Sequence, residues 1–488
     1  MAFFSHFSAL LWGGPILAAC ILVGGYYSLR TGFFQLFGLP VWWRSTVGAL
    51  LRPRSKERDP AAVTPLQALS TALAATIGTG SIAGVAAAIF YGGPGTVFWM
   101  WISALLGMMT GCAEKLLAVR HRERGPDGQW RGGPMEYIRL GLHLPGLAKL
   151  YALFLVCETL VGGTLAQSNS IATALNAATG VSPRTVGIVL ALITAVVLAG
   201  GIRRIARLSE LLVPVMALLF LGCGLAVILF HWSAVPQALE QIVTYAFAPK
   251  AVAGGYAMGA ALRYGVARGV FTSEAGLGVS SIAHACADVD HPARQGMWGI
   301  FEVGVSTLLI CTVTALVILT SGLYQPQEAL ALLEQGQPIP THLLGAPLVA
   351  ASFSTLFGQA GTWVISVSLI LFAFTSLVGS GFYGQRGLDT LAPHPFARLL
   401  YRLAFPLCIL FGAVGDLGAV WELVDFFNAL LALPNLAALL LLSPEALYLL
   451  RQWLEQQSTP RAPHIPRREK RPARSARRPA STSRKNRA

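Results

Sequence analysis

Residues 69–88 read LSTALAATIGTGSIAGVAAA, a run long and apolar enough to enter a bilayer but interrupted by Ile77-Gly78-Thr79-Gly80-Ser81. Two glycines among three hydroxyl residues, Thr76, Thr79 and Ser81, disfavour a continuous helix. Glycine costs about 1 kcal/mol per residue against alanine in a helix interior. Small hydroxyl residues offer the backbone local hydrogen bonds that compete with the helical ladder. Lipid satisfies no amide or carbonyl, so an unwound stretch at membrane depth survives only where it lines a cavity or holds a ligand. The constraint points to a binding site for a small polar solute or ion.

The surrounding chain fits a membrane setting. It is 54% hydrophobic and only 12% charged, with mean hydropathy +0.60, where soluble domains carry about 25% charged residues. A crossing needs about 20 apolar residues, and eleven spans are predicted. They cover 10–29, 64–90, 96–119, 149–177, 185–202, 208–230, 256–286, 295–321, 361–383, 397–414 and 421–441. Between the first two, residues 41–58 mix Trp42, Trp43 and Leu50 with Arg44, Arg52, Arg54 and Lys56, which suggests an interfacial amphipathic segment.

The net charge of +14 is mostly a tail effect. From Thr459 onward eleven Lys and Arg stand against one acid in a Pro/Arg/Ser-rich stretch without hydrophobic periodicity. Such a tail is expected to be disordered, to sit in the cytoplasm and to attract anionic lipid headgroups rather than nucleic acid. Basic residues also order the loops. With the N-terminus outside, alternate connections hold Arg44 to Arg58, Arg120 to Lys149, Arg203 to Arg207, Arg294, Arg386 to Arg402, and Arg451 with the tail. The opposite side holds Arg184, Lys250 and Arg263, and residues 322–358 carry no Lys or Arg. The asymmetry predicts an outside N-terminus and a cytoplasmic C-terminus in a plasma membrane, a bacterial inner membrane.

Span seven holds a second interruption, Arg268-Gly269-Val270-Phe271-Thr272-Ser273-Glu274-Ala275-Gly276-Leu277-Gly278. Setting span one aside, spans 2–6 and 7–11 form two five-helix units, each beginning with a broken helix. Paired interruptions at corresponding positions indicate a transporter of inverted repeats with its site at their interface. The predicted organisation is an N-terminal helix (1–31), a cytoplasmic amphipathic connector (32–63), two repeats (64–255 and 256–458) and the basic tail (459–488). The intramembrane Glu274 suits either a coupling acid or a structural partner for broken-helix amides. Glu114, Lys115 and Glu302 are expected to snorkel or to pair. Gly78 to Ala83 formally matches GxGxxG/A, but follows no strand. The seven cysteines form no CxxC pair and are expected to be reduced thiols. No nucleophile–base or metal constellation suggests an enzyme or a cofactor.

The segments ALSTALAATIGTGSIAGVA, GGPGTVFWMWISALLGMMTGCAEKLLAV, GGPMEYI, LAQSNSIATAL, YGVARGVFTSEAGLGVSSIAHACADVDHPARQGMWGIFEV and LFAFTSLVG resemble the alanine or glycine:cation symporter family. The resemblance runs from about Gly32 to Leu442. It implies an all-α, LeuT-type fold of eleven transmembrane helices with a 5+5 inverted repeat after one extra helix. It implies sodium-coupled uptake of a small neutral amino acid, the alternative being proton coupling through Glu274. By similarity, the amides of Thr79 and Gly80 bind the substrate carboxylate, Gln167 reaches the substrate, Phe271 lines the pocket, and groups around Thr272 and Ser273 meet the amino group. The implied sodium ligands are carbonyls of Ala74 and Ile77 and hydroxyls of Thr375 and Ser376, an all-oxygen set suited to a hard cation. Two departures stand out. Ser380 replaces a family tryptophan that helps close the pocket, and Ser81 stands where asparagine is common. Both are expected to shape substrate choice, with Ser380 leaving room for a side chain larger than methyl.

Overall fold

In the computed structural model, residues 10–12, 14–50, 59–126, 128–247, 258–337, 339–415 and 417–458 are described. The basic tail, part of the amphipathic connector and the start of the seventh span lie outside them. The described residues are almost wholly helical, with α1 (Pro15–Arg30), α2 (Pro65–Thr76), α3 (Ala83–Gly92), α4 (Thr96–Arg120), α5 (Pro145–Leu160) and α6 (Gln167–Thr179). There follow α7 (Pro183–Ala199), α8 (Gly201–Phe230), α9 (Val235–Phe247), α10 (Met258–Ser273), α11 (Ser281–Ala285), α12 (Pro292–Val303) and α13 (Thr312–Thr320). The last are α14 (Pro326–Glu334), α15 (Gly345–Phe357), α16 (Gln359–Leu391), α17 (Pro395–Val414), α18 (Leu417–Leu441) and α19 (Ser443–Ser458). Among the described residues, eight helices are long and apolar enough to cross a membrane. The other three expected spans are the 17-residue α7 and the two interrupted ones, α2–α3 and α10–α11.

Both interruptions are present. α2 opens with a capping box, Thr64 Oγ1 accepting the Gln67 N–H (3.1 Å) while Gln67 Oε1 accepts the Thr64 N–H (3.0 Å). It ends at Thr76. One tight turn, Thr79–Ser81, then leads into α3. After α10 the chain runs through Glu274 (φ +52°), Gly276 (φ +98°) and Gly278 (φ +80°) before α11. Three left-handed residues in five cannot continue a right-handed helix. The two interrupted segments meet end to start. Val63, just before α2, accepts the Asp288 N–H (2.8 Å) and donates to the Cys286 carbonyl (3.0 Å), just after α11.

The second interruption is held by side chains from three helices. Glu114 Oε1 on α4 accepts the Gly276 N–H (2.8 Å), and Asn435 Nδ2 on α18 donates to the Gly276 carbonyl (2.8 Å) and to Glu114 Oε1 (2.8 Å). Tyr137 O–H donates to Asn435 Oδ1, and Tyr151 O–H on α5 donates to the Leu277 carbonyl (2.7 Å). Glu114 therefore fills the amide-capping role that was one expectation for Glu274. Its charge is met by Lys115, whose Nζ lies 3.4 Å from Glu114 and 3.6 Å from Glu302 with all three side chains fully buried. These residues pair; they do not snorkel. His284 is equally buried, between Glu302 (2.9 Å) and Gln295 (2.6 Å).

Three apolar clusters pack the helices, and α16 contributes to all of them, through Phe382, Phe372 and Leu377 respectively. The N-terminal α1 lies against α4 and α18, with Tyr27 O–H donating to the Leu439 carbonyl (2.6 Å). Two features were not anticipated. A hairpin of β1 (Glu123–Arg124) and β2 (Trp130–Arg131) stands in the α4–α5 connection. Its Arg124 and Trp130 side chains both donate to Asp59, whose carboxyl is held below its ordinary range chiefly by the Ala61 amide. Helices α9, α14 and α15 fill connections expected to be loops; at 9 to 13 residues each is too short to cross a bilayer.

Lys115→Met would leave two buried carboxylates without their shared cation. It is expected to cost roughly 3–5 kcal/mol, read as a lowered melting midpoint in detergent. Arg294→Gln, which breaks an exposed pair with Asp290, should change stability by less than about 1 kcal/mol.

Candidate functional site

A cavity of about 40 Å³ lies between the two interruptions. A buried water needs at least about 10–15 Å³ on the same measure, so the space suits a compact solute. One wall is the end of α2 and the turn after it, from Ala75 to Gly80. The second is Phe271, Glu274 and Val279, on and after α10. A third is the junction of α5 and α6, where one wide π-type turn, Val161–Ala166, places Gly162 and Gly163 between Glu158 and Gln167. Such turns are frequent at functional sites. Ser376, Ser380 and Tyr383 of α16 and Asn428 of α18 close the remainder.

The first wall explains its glycines. A Cβ on Gly78 would stand 2.8 Å from Ser376 Oγ and 3.0 Å from Gln167 Nε2, and one on Gly80 would stand 2.5 Å from the Phe271 ring. The Thr79 N–H reaches Gln167 Oε1 over a long 3.4 Å, and the buried Thr79 hydroxyl has no partner. The last carbonyls of α2 carry the negative end of its dipole, and the first amides of α3 the positive end of the next. One short stretch thus offers a cation and an anion adjacent sites.

Of the residues expected to hold sodium, Ser376 and Ala74 come together. Ser376 Oγ donates to the carbonyls of Ala74 (3.1 Å) and Ala75 (2.9 Å). Ile77, fully buried, stands at the end of α2 with its N–H on the Leu73 carbonyl (2.8 Å). Thr375 turns away, its hydroxyl donating to the Phe372 carbonyl (3.0 Å) and facing Met216 Sδ at 3.6 Å. Carbonyls converging on a hydroxyl at a helix C-terminal end fit a hard cation.

Among the expected substrate residues, Gln167, Gly80, Phe271 and Ser380 border the cavity, and Thr79 sits beside Gln167. The side chains of Thr272 and Ser273 do not border it. Thr272 Oγ1 donates to the Arg268 carbonyl (2.9 Å) and lies 3.1 Å from Thr307 Oγ1. Ser273 Oγ faces the Val270 carbonyl and borders a separate cavity of about 10 Å³ beside Cys20 and Thr110. Ser81 also sits off the cavity, its carbonyl accepting from Thr314 Oγ1 (2.9 Å). Ser380 packs straight onto the π-type turn: a Cβ on Gly163 would stand 2.4 Å from its Cβ and Oγ.

Sequence reasoning missed Glu158, Tyr383 and Asn428. Glu158 had a signal, being an ionisable residue inside a predicted span. Tyr383 and Asn428 had none, since a tyrosine or an asparagine in a long apolar helix is ordinary.

The model of the sodium:alanine symporter family matches residues 1–466. The sodium/alanine symporter AgcS of Methanococcus maripaludis is 38% identical, over 89% of this chain and 93% of that protein. The probable sodium/glutamine symporter GlnT of Bacillus subtilis is 34% identical, over 93% of this chain and 91% of its own. In structure the chain is similar to MhsT, solved in complex with L-phenylalanine, with TM-score 0.54 at 14% identity over 81% of this chain and 93% of that one. That likeness places the chain in the LeuT-type fold.

The Gly163–Ser380 contact can be tested directly. Gly163→Ala should overpack this junction and lower stability by about 1–3 kcal/mol, and the added Ser380→Gly change should restore most of the loss. Gly222→Ala, at a helix position with nothing within 4 Å, should be neutral or gain up to about 1 kcal/mol. Melting midpoints of the four proteins check it.

Proposed function

Because the chain belongs to the sodium:alanine symporter family, we propose that it takes up a small neutral amino acid of the alanine and glycine class by symport with sodium. In this proposal the chain crosses a plasma membrane eleven times, N-terminus outside. One helix (1–31) and a cytoplasmic connector (32–63) precede the inverted repeats 64–255 and 256–458, and the tail 459–488 lies against anionic lipid.

The observation that carries the proposal is the Ser376 hydroxyl at 3.1 and 2.9 Å from two carbonyls of the last turn of α2. Thr79 and Gly80 lie only a few residues further along the same chain. A sodium ion there would take Ala74 and Ser376 as ligands, with Ile77 and Thr375 the further candidates. It would tie α2 to α16 and hold the turn after α2 with its amides toward the cavity. Amino-acid carboxylate binding at Thr79 and Gly80 then profits from bound sodium, and linkage requires the converse. Gln167 steadies the Thr79 amide, and Phe271 over Gly80 shields the bound solute. The small cavity favours alanine, glycine and serine, and Ser380, packed against Gly163, adds a polar residue to its lining.

Counterflow of labelled alanine, glycine, serine and glutamine in proteoliposomes, with sodium or choline outside, tests this. Alanine exchange should require sodium. Ser376→Ala should raise the sodium half-saturation by roughly tenfold or more. Equal exchange in sodium and choline for every substrate would sink the proposal. Exchange that ignores sodium and follows external pH would select proton coupling through Glu274, whose Oε2 has no partner.

A further inference from the structure

The proposed sodium and carboxylate positions use the wall that α2 and the turn after it supply. The same lining also carries two acids, neither of which has been given a task above as a ligand of the amino acid. Glu158 of α5 and Glu274 of the second interruption both border the same 40 Å³ space. Glu274 Oε2 is shielded from solvent without a hydrogen-bond partner. Its backbone stands at φ +52°, a conformation uncommon for a residue with a Cβ. The structural role for this carboxylate is already filled: Glu114 accepts the Gly276 amide and Asn435 donates to the Gly276 carbonyl. A left-handed Glu that the backbone does not need for capping is placed for what enters the cavity.

Two further side chains that line the same cavity point to a ligand. Tyr383 is 1% exposed and Asn428 3% exposed, both border the cavity, and the Tyr383 hydroxyl and Asn428 Nδ2 have no partner. Buried polar atoms are nearly always paired, so these groups together with Glu274 describe a ligand that brings hydrogen bonds of its own. Two carboxylates sharing one enclosed space favour a cation. The hydroxyls of Thr272 and Ser273, expected around the amino group, are engaged elsewhere.

We propose that Glu274 and Glu158, with Tyr383 and Asn428, form an ammonium subsite for the α-amino group of the substrate. Resting on the transport proposal above, this makes the cavity a zwitterion clamp. Amides of Thr79 and Gly80 face the carboxylate on one side, and acids face the ammonium on the other. The space is small enough that a solute reaching one side reaches both. Glu274, whose Oε2 has no hydrogen-bond partner, contributes the main contact, and Glu158 lines the same cavity from the end of α5, next to the π-type turn. Gly162 belongs to the same arrangement, since a Cβ there would stand 2.6 Å from Glu158 Oε1. The chemical class selected is an unmodified amino acid. 2-Hydroxy acids and N-acylated amino acids are rejected although they share the carboxylate.

L-Lactate has the size of alanine with a hydroxyl in place of the ammonium group, which makes it the informative probe. Purified wild type, Glu274→Gln and Glu158→Gln are compared in proteoliposomes at saturating sodium, with alanine and lactate as competitors of labelled alanine. Wild type should prefer alanine strongly. Glu274→Gln should weaken alanine by roughly tenfold or more, as expected for the loss of one charge-assisted bond, and leave lactate nearly unchanged. Glu158→Gln should act in the same direction, less strongly. Sodium titration without amino acid, followed by thermal shift, should be unaltered in both variants and shows that each is folded.

An alanine-to-lactate preference unchanged in both variants overturns the subsite. So does a changed sodium affinity or Hill coefficient in the absence of amino acid, since the acids would then hold a coupling ion. Wild type that takes up alanine with sodium in either of those cases leaves the transport proposal standing. Wild type that takes up no amino acid at all overturns both.

Discussion

Hydrocarbon offers a broken helix no hydrogen bonds, and this protein breaks two helices in the same region. The second break depends on one contact above the rest, the Glu114 carboxylate on the Gly276 amide. A carboxylate buried there needs a cation, which Lys115 supplies from the next position. Lys115 in turn faces Glu302, and Glu302 is bonded to His284, itself bonded to Gln295. The buried charge cluster thus follows from unwinding a few residues of backbone. Thr76, at the end of α2, also reaches Glu302 at 3.4 Å, so both interruptions lean on the same group of charges.

The first interruption is held more lightly. Its Thr79 amide meets Gln167 at 3.4 Å, and the Ala74 and Ala75 carbonyls near the end of α2 meet the Ser376 hydroxyl at the cavity edge. Contacts that are long, or that a hydroxyl can give up by rotating, can be exchanged for a ligand at little cost. A carboxylate that accepts the Gly276 amide while paired with Lys115 cannot. One break is therefore built as scaffold and the other as binding surface. α16 joins them to the rest, because its successive faces enter all three apolar clusters and also present Ser376, Ser380 and Tyr383 to the cavity.

Much of this was legible in the chain. Gly78 and Gly80 among hydroxyls mark the first break, and Glu274 to Gly278 mark the second, because helix propensity is a local property. The family motifs placed Gln167, Phe271 and Ser376 near the cavity. Side-chain direction was less accessible. Thr272 and Ser273 precede the left-handed Glu274, and their hydroxyls turn back onto α10 carbonyls where the helix still supplies acceptors. Ser380 suggested an enlarged pocket, yet the π-type turn at Val161–Ala166 brings Gly163 against it. No local pattern announces a turn that widens by one residue within an apolar helix.

By itself the sequence determined a membrane chain of apolar helices, broken twice at positions that glycine and hydroxyl residues mark, and built on the motifs of one symporter family. These follow from hydrophobicity and backbone propensity, which act over a few residues. Only the tertiary structure decided which buried groups pair and which face the cavity. Glu114 and Glu274 are both intramembrane acids in the sequence. One became the structural partner of the Gly276 amide and the other borders the cavity with its Oε2 unbonded. The difference lies in which helix packs against the unwound backbone, a matter of contacts between residues more than one hundred and fifty positions apart.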